Sequence, residues 1–352
     1  MQKVSNIVYL YSEVMNYTIS IMRVLVRDFG SEVDCIYWDD DRKKTPFVPK
    51  DENGITFHKR SAMTVQSIKA LLDEKKPSLI YVSGRMDKGY LEVLLQVKGR
   101  IPIVSGCDNQ WEGTLKNKLA VITAGNTYHK YFDYLWVPSR RSYEYARRVG
   151  YAKNKIIGHM YTGDSSVFPK VWHETKAQKQ QMFPHTIAFV GRFAPEKGIN
   201  LLVEAFNQAK KELSNDWRLV IVGRGDVQVQ ANEHIEVKDF MSAAQLGEEC
   251  RNWGVFCLPS TREAWGVVVH EFAMAGLPVV CSDIVGAGDS LVINNYNGYI
   301  FESGNVADLK RVILTLMRNP EAELYRMAEA SHEYSKCISP EVSAYSLLSV
   351  LK

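Results

Sequence analysis

The chain has 352 residues, 46% of them hydrophobic and 24% charged, with 23 Gly and 12 Pro. This globular composition excludes collagen-like, low-complexity and disordered classes, and the length suits two domains with cores of their own. The net charge of +3 hides an asymmetry, because residues 1–165 carry 25 Lys and Arg against 18 Asp and Glu and the remainder 18 against 22.

The N-terminal MQKVSNIVYLYSEV lacks the basic stretch, apolar core and cleavage site of a secretory leader. No run approaches the ~18 uninterrupted apolar residues of a membrane span. Short β-branched or aromatic runs at 7–10, 33–37, 79–82, 101–105 and 134–137 alternate with helical patterns, predicting βα units on a mostly parallel sheet. After the second run stand Asp39, Asp40 and Asp41, where adjacent carboxylates can hold a divalent cation on a nucleotide diphosphate. Arg42, Lys43 and Lys44 neutralise that run and favour a solvated loop. Asp108, with Asn109, occupies another strand-end loop, where it either orients a ligand or closes an Asx turn. Positive charge then thickens at Arg140, Arg141, Arg147, Arg148, Lys153 and Lys155, with Tyr143, Tyr145 and Tyr151 interleaved. Such a stretch is either a solvated helix face or a surface for nucleic acid or an anionic membrane. The polar stretch 172–182, between Pro169 and Pro184, has no strand signal. It is expected to be the linker, dividing the chain into domains 1–168 and 186–335 joined by 169–185.

A second βα series follows, with strands at 186–190, 217–222, 255–258 and 278–281 and a helix at 200–213 whose apolar stripe is Leu201, Leu202, Ala205, Phe206, Ala209 and Leu213. Ligands of open parallel sheets bind beyond the carboxyl ends of the strands, which directs attention to three loops. The first runs Gly191, Arg192, Phe193, Ala194, Pro195, Glu196, Lys197, Gly198 and opens a helix. Two cations at a helix N-terminus suit a diphosphate, although a glycine-bounded loop with solvated charges has the same composition. The second, 259–266, carries Glu263 before a helix that holds Glu271 eight positions on. Amides at such a helix start can take phosphate oxygens, while carboxylates there suit sugar and ribose hydroxyls, although Glu263 as a helix-start residue favoured by the dipole and Glu271 as a surface residue have the same pattern. The third, 282–289, has Gly286 and Gly288 but Leu291 where a dinucleotide fingerprint needs glycine, and Met274 breaks a zinc-protease pattern at His270 and Glu271. The six Cys include no C-x-x-C pair, which fits a reducing compartment.

In order, spacing and residue type these stretches together resemble family 4 of the retaining glycosyltransferases. The resemblance is carried by Phe189, Val190, Gly191 and Arg192 with Glu196, Lys197 and Gly198; by LVIVG at 219–223 with Gly225; by Leu258, Pro259 and Ser260 with Glu263 and Gly266; by EFAMAGLPVV at 271–280; and by Asn297 and Gly298. It spans 186–335, with Gly163 and Asp164 as its lead. It implies an α/β protein of GT-B fold, two Rossmann-like parallel-sheet domains facing each other across a cleft, with a C-terminal helix in 336–352 crossing back to the first domain. It further implies a metal-independent, retaining hexosyl or related transferase that needs no cofactor. Such an enzyme passes a sugar from a nucleotide-diphosphate sugar to a hydroxyl of a glycan or lipid-linked acceptor, in surface polysaccharide or glycoconjugate synthesis. By the same resemblance Arg192 and Lys197 hold the diphosphate beside Gly191, Glu263 holds the transferred sugar with the amides of Ala264, Trp265, Gly266, Val267 and Val268, Glu271 holds the ribose, and Lys238, Asp239 and Phe240 read the base. The N-terminal half departs from the family, since loop 11–17 has no Gly and 105–110 no His. Asp108 is its catalytic candidate, with Asn16 and Tyr17 behind it. The expected setting is cytoplasmic, with the basic N-terminal face touching the inner side of an anionic membrane and no nucleic-acid partner. A GT-B sugar-nucleotide epimerase and a non-catalytic sugar-nucleotide-binding subunit are the alternatives; the Glu263 and Glu271 pair argues against the second.

Overall fold

The structure is a computed structural model that describes residues 6–40 and 47–351. Seven short strands form the first sheet: β1 (Ile7–Leu10), β2 (Val33–Tyr37), β3 (Ile55–Lys59), β4 (Leu79–Val82), β5 (Ile103–Gly106), β6 (Tyr134–Trp136) and β7 (Ile156–Ile157). All pair in parallel, in the order β3-β2-β1-β4-β5-β6-β7. The central strands are apolar runs buried on both faces, as a parallel sheet covered by helices requires. The second sheet contains β8 (Thr186–Val190), β9 (Arg218–Val222), β10 (Ile235–Lys238), β11 (Val255–Leu258), β12 (Val279–Ser282) and β13 (Gly298–Phe301). It too is parallel, in the order β10-β9-β8-β11-β12-β13.

Two units result, one running to Thr162 and taking in the chain again from Ile338, the other Gly163–Cys337. The chain therefore passes between units at Thr162, earlier than the expected boundary at 168. Gly163 is tied into the second unit, its N–H donating to His270 at 2.7 Å. The expected linker 169–185 is instead mostly the helix Phe168–Gln181, packed into that same unit. Its polar composition conceals a stripe of Phe168, Val171, Trp172 and Thr175, all buried at helical spacing. The Trp172 ring lies so close to Gly276 that a Cβ there would come within 2.1 Å of it. The helix Pro340–Leu348 supplies Ala344, Leu347 and Leu348 to the core of the first unit. Among the described residues no helix is long and apolar enough to cross a membrane.

Each sheet has a point where strand order reverses. In the second, the chain leaves β8 for β9 and β10 on one side, then crosses to β11 on the other. The loops after β8 and β11 diverge there, which opens the crevice where such sheets bind ligands. The first sheet reverses between β1 and β4.

Candidate functional site

The two loops flanking the reversal of the second sheet are joined by backbone. In the first, Pro195–Lys197 forms a single 3₁₀ turn ending at Gly198, whose φ of 67° opens the helix Ile199–Glu212. A Cβ on Gly198 would lie 2.0 Å from the carbonyl oxygen of Pro259 in the other loop. From that loop, Thr261 donates its N–H to the carbonyl of Glu196 at 2.8 Å. This seam brings the Lys197 ammonium onto the Glu263 carboxylate, an ion pair with both side chains mostly shielded. Arg192 is not part of that pair: it is largely exposed and bonds Glu196 at 2.8 Å.

Gly191 donates to the Val222 carbonyl at 3.1 Å, extending the ladder past β8, and a Cβ there would lie 3.1 Å from the Phe189 ring. Gly223, at φ 147°, meets it so tightly that a Cβ would sit 1.9 Å from the Gly191 carbonyl oxygen. Only glycine allows the β8 and β9 loops to touch this way. On the other side, Gly266 (φ 92°) precedes the helix Val267–Met274, whose first turn presents the amides of Val267 and Val268, with those of Ala264, Trp265 and Gly266 just before it. Trp265 is buried and its carbonyl accepts from Ala287 at 2.9 Å. The Trp265 indole N–H and the Ser260 hydroxyl, both buried here, have no hydrogen-bond partner among the described residues.

Glu271 lies one turn inside the helix, where burial pushes its carboxyl up to about 7 and the nearby Asp164 charge adds to the effect. Its one donor from the neighbouring segment is long, the Asp164 N–H at 3.4 Å. His270 next to it is a brace. Its Nδ1 accepts from Gly163 and its Nε2 faces the Ser335 carbonyl at 3.0 Å, which fixes the ring proton on Nε2.

Lys238, Asp239 and Phe240 follow the end of β10, beside the β9 loop. Lys238 pairs with Glu249 at 2.7 Å, and this carboxylate holds its ammonium above the ordinary value. Asp239 accepts both arms of Arg224 at 3.1 Å, and the Arg224 guanidinium lies 5.5 Å from the Phe240 ring, itself 55% exposed. Arg224 was not among the sequence candidates. Its signal was a cation between Gly223 and Gly225 at a strand end.

In the first unit, Asp108 is exposed in the loop after β5, and its charge adds to the burial that raises Tyr11, Tyr81 and Tyr161. Asn109 instead reaches the Tyr128 hydroxyl at 3.4 Å. Asn16 and Tyr17 begin the helix Asn16–Phe29, with Tyr17 edge-on to Tyr161 at 5.8 Å. Asp39 caps a turn: its carboxylate accepts the Ser61 N–H at 3.0 Å and the Ser61 hydroxyl at 2.6 Å. Burial pushes that carboxyl up, but the Ser61 bonds more than offset it and hold it below the ordinary range. Asp41 lies outside the described residues. Tyr145 and Tyr151, expected among exposed cations, are buried; their hydroxyls reach Tyr128 and the Phe132 carbonyl at 3.0 Å, Tyr145 from the inner face of the helix Arg140–Arg148 and Tyr151 from the loop after it.

This arrangement of loops at a sheet reversal has counterparts among known proteins. The family model of glycosyl transferases group 1 matches residues 172–334. An uncharacterized glycosyltransferase of Methanocaldococcus jannaschii is 30% identical over 161 residues, 44% of each chain. A phosphatidyl-myo-inositol mannosyltransferase of Mycobacterium leprae is 33% identical over 142 residues, 38% of this chain and 37% of the other. The chain thus spans less than half the length of these curated relatives. The solved structure of Anabaena HepE with UDP and glucose superposes over 99% of both chains, with a TM-score of 0.70 at 15% identity. The fold is therefore GT-B, and the matched residues 172–334 hold every donor-side candidate named above.

Proposed function

We propose that the protein is a retaining glycosyltransferase that moves a hexose or related sugar from a nucleotide-diphosphate sugar to an acceptor hydroxyl, in polysaccharide or glycoconjugate synthesis. The observation that carries this reading is the Lys197–Glu263 pair, set where the β8 and β11 loops part. A cation for the leaving diphosphate and a carboxylate for the sugar stand side by side, beside a helix start whose amides favour anions. The unpartnered Trp265 and Ser260 donors and the raised Glu271 carboxyl support a ligand there, since buried polar groups are normally satisfied.

In this reading Arg192 exchanges Glu196 for a phosphate oxygen, Lys197 bonds the diphosphate while keeping Glu263, and Glu271 accepts ribose hydroxyls. Arg224, Lys238, Asp239 and Phe240 meet the base. The bond from the anomeric carbon to the phosphate oxygen breaks, the acceptor oxygen bonds the same face, and its proton passes to the departing phosphate. The two cations and the helix start neutralise that phosphate without a metal ion, and Asp108 orients the acceptor. A glycan or lipid-linked acceptor and a peripheral contact of the first unit with an anionic membrane complete the proposal, supported by that unit's positive charge and by the lipid in the name of the mycobacterial relative.

A thermal-shift screen with UDP-, GDP-, ADP-, CMP- and dTDP-sugars tests it, because a ligand that binds only the native state raises Tm. One donor class is expected to raise Tm and then to label an acceptor with retention. No shift with any donor overturns the donor half, and conversion of the sugar nucleotide without acceptor reassigns the reaction.

A further inference from the structure

The helix Leu115–Ile122 in the first unit is turned inside out. Leu115, Leu119 and Ile122, three and four residues apart on one face, are 83%, 60% and 81% exposed. The side that faces the protein carries Asn117, which is buried; its Oδ1 accepts the Glu112 N–H at 2.7 Å and its Nδ2 donates to the Gln110 carbonyl at 3.3 Å. A polar anchor inside and an aliphatic ridge outside reverse the order that folding alone selects. Lys116 and Lys118 flank the ridge and are exposed.

The ridge adjoins a strongly basic neighbourhood. At its start, Trp111 donates its N–H to the Arg141 carbonyl at 3.3 Å and lies under the Arg148 guanidinium at 4.3 Å. Past its end, His129 bonds the Val149 carbonyl at 2.7 Å and stacks on Tyr151 at 4.5 Å. The stretch 111–155 holds nine Lys and Arg against three Asp and Glu. Of these acids, Asp133 pairs with Lys98 at 2.7 Å and Glu144 with Arg148 at 2.9 Å.

We propose that this surface docks on an anionic lipid bilayer, with Leu115, Leu119 and Ile122 entering the interface and Lys116, Lys118 and the helix Arg140–Arg148 lying at headgroup level. An aliphatic ridge flanked by cations is what an interfacial helix needs. A second copy is disfavoured by charge, since a two-fold contact would set each basic surface against itself. The inference deepens the membrane part of the proposed function, but it is read out by binding alone, so it fails or stands independently of sugar transfer.

Flotation of the full chain with phosphatidylcholine vesicles, with and without phosphatidylglycerol, tests it. Binding is expected only to the anionic vesicles and falls with added salt. Because the ridge is exposed, Leu115→Ser, Leu119→Ser and Ile122→Ser combined should leave Tm and the donor-induced shift unchanged while cutting partitioning about tenfold or more. Lys116→Gln and Lys118→Gln should each cut it about fivefold at low salt. Equal partitioning of the folded triple variant, or equal binding to neutral vesicles, overturns the proposal. A concentration-dependent dimer, or a captured protein partner, that the triple variant loses without any vesicle binding reassigns the face and overturns it as well.

Discussion

Lys197 and Glu263 hold each other in an ion pair, which sets what each substitution does. Glu263→Gln keeps a hydrogen-bonding group beside Lys197, so the fold and most donor affinity should persist while transfer falls about 10²- to 10³-fold, the usual cost of losing one electrostatic group at a reacting centre. Steady-state rates alongside donor Kd check this, and normal turnover in the folded variant removes Glu263 from the chemistry. In the proposed mechanism Arg192 and Lys197 serve one diphosphate, so combining Arg192→Ala with Lys197→Ala should cost far less than the product of the two, and activity should survive EDTA. Silence in EDTA with rescue by Mn²⁺ would overturn the metal-free reading.

For Glu271 the sign follows from its raised carboxyl. The folded protein holds this proton up to about pH 7, whereas an unfolded chain loses it near the ordinary carboxylate value, ~4.3. Stability therefore falls as pH rises through that window. Glu271→Gln should melt above the wild type at about pH 8 and level with it at about pH 4, yet bind donor more weakly at the higher pH. A melting difference that ignores pH would refute this account.

At the scale of elements, the seam between the β8 and β11 loops depends on glycines as much as on charges. Gly198→Ala would force a Cβ toward the Pro259 carbonyl in a left-handed conformation. A loss of about 2 to 4 kcal/mol is expected, with donor affinity falling further than stability, measured by denaturant melts and titration. The loop glycines and the buried central strands were legible in the sequence because their constraints are local: apolar runs, turn residues, a helix start. β3, β7, β10 and β13 were not. All are short edge strands: polar residues such as Thr56 and Glu236 interrupt the apolar signal in β3 and β10, β7 has two residues and β13 opens on Gly298, and their pairing is set by neighbours far along the chain. The helix Phe168–Gln181 was missed for a related reason: its apolar stripe is narrow and acquires meaning only against Gly276 and the helix Glu321–Ser335. The residue types of the candidate loops could be read, whereas the contact of Lys197 with Glu263, 66 positions apart, and the brace at His270 came only with tertiary structure.

At the scale of the molecule, two units with separate cores should melt separately. Leu347→Ala opens a cavity in the first unit, where a buried Leu typically costs 2 to 5 kcal/mol. Calorimetry should show one transition lowered and the other unmoved, and a donor nucleotide should raise the unmoved one. A uniform shift of both would mean the units unfold together. The placement of Leu347 also orders events on the ribosome. All of Gly163–Cys337 is synthesised before residues 340–348, so the second unit has its whole sequence while the first still lacks part of its core. The unit made first is thus completed last. During synthesis its open face, around Ile21, Val24 and Leu25, is the apolar surface a nascent-chain chaperone would find.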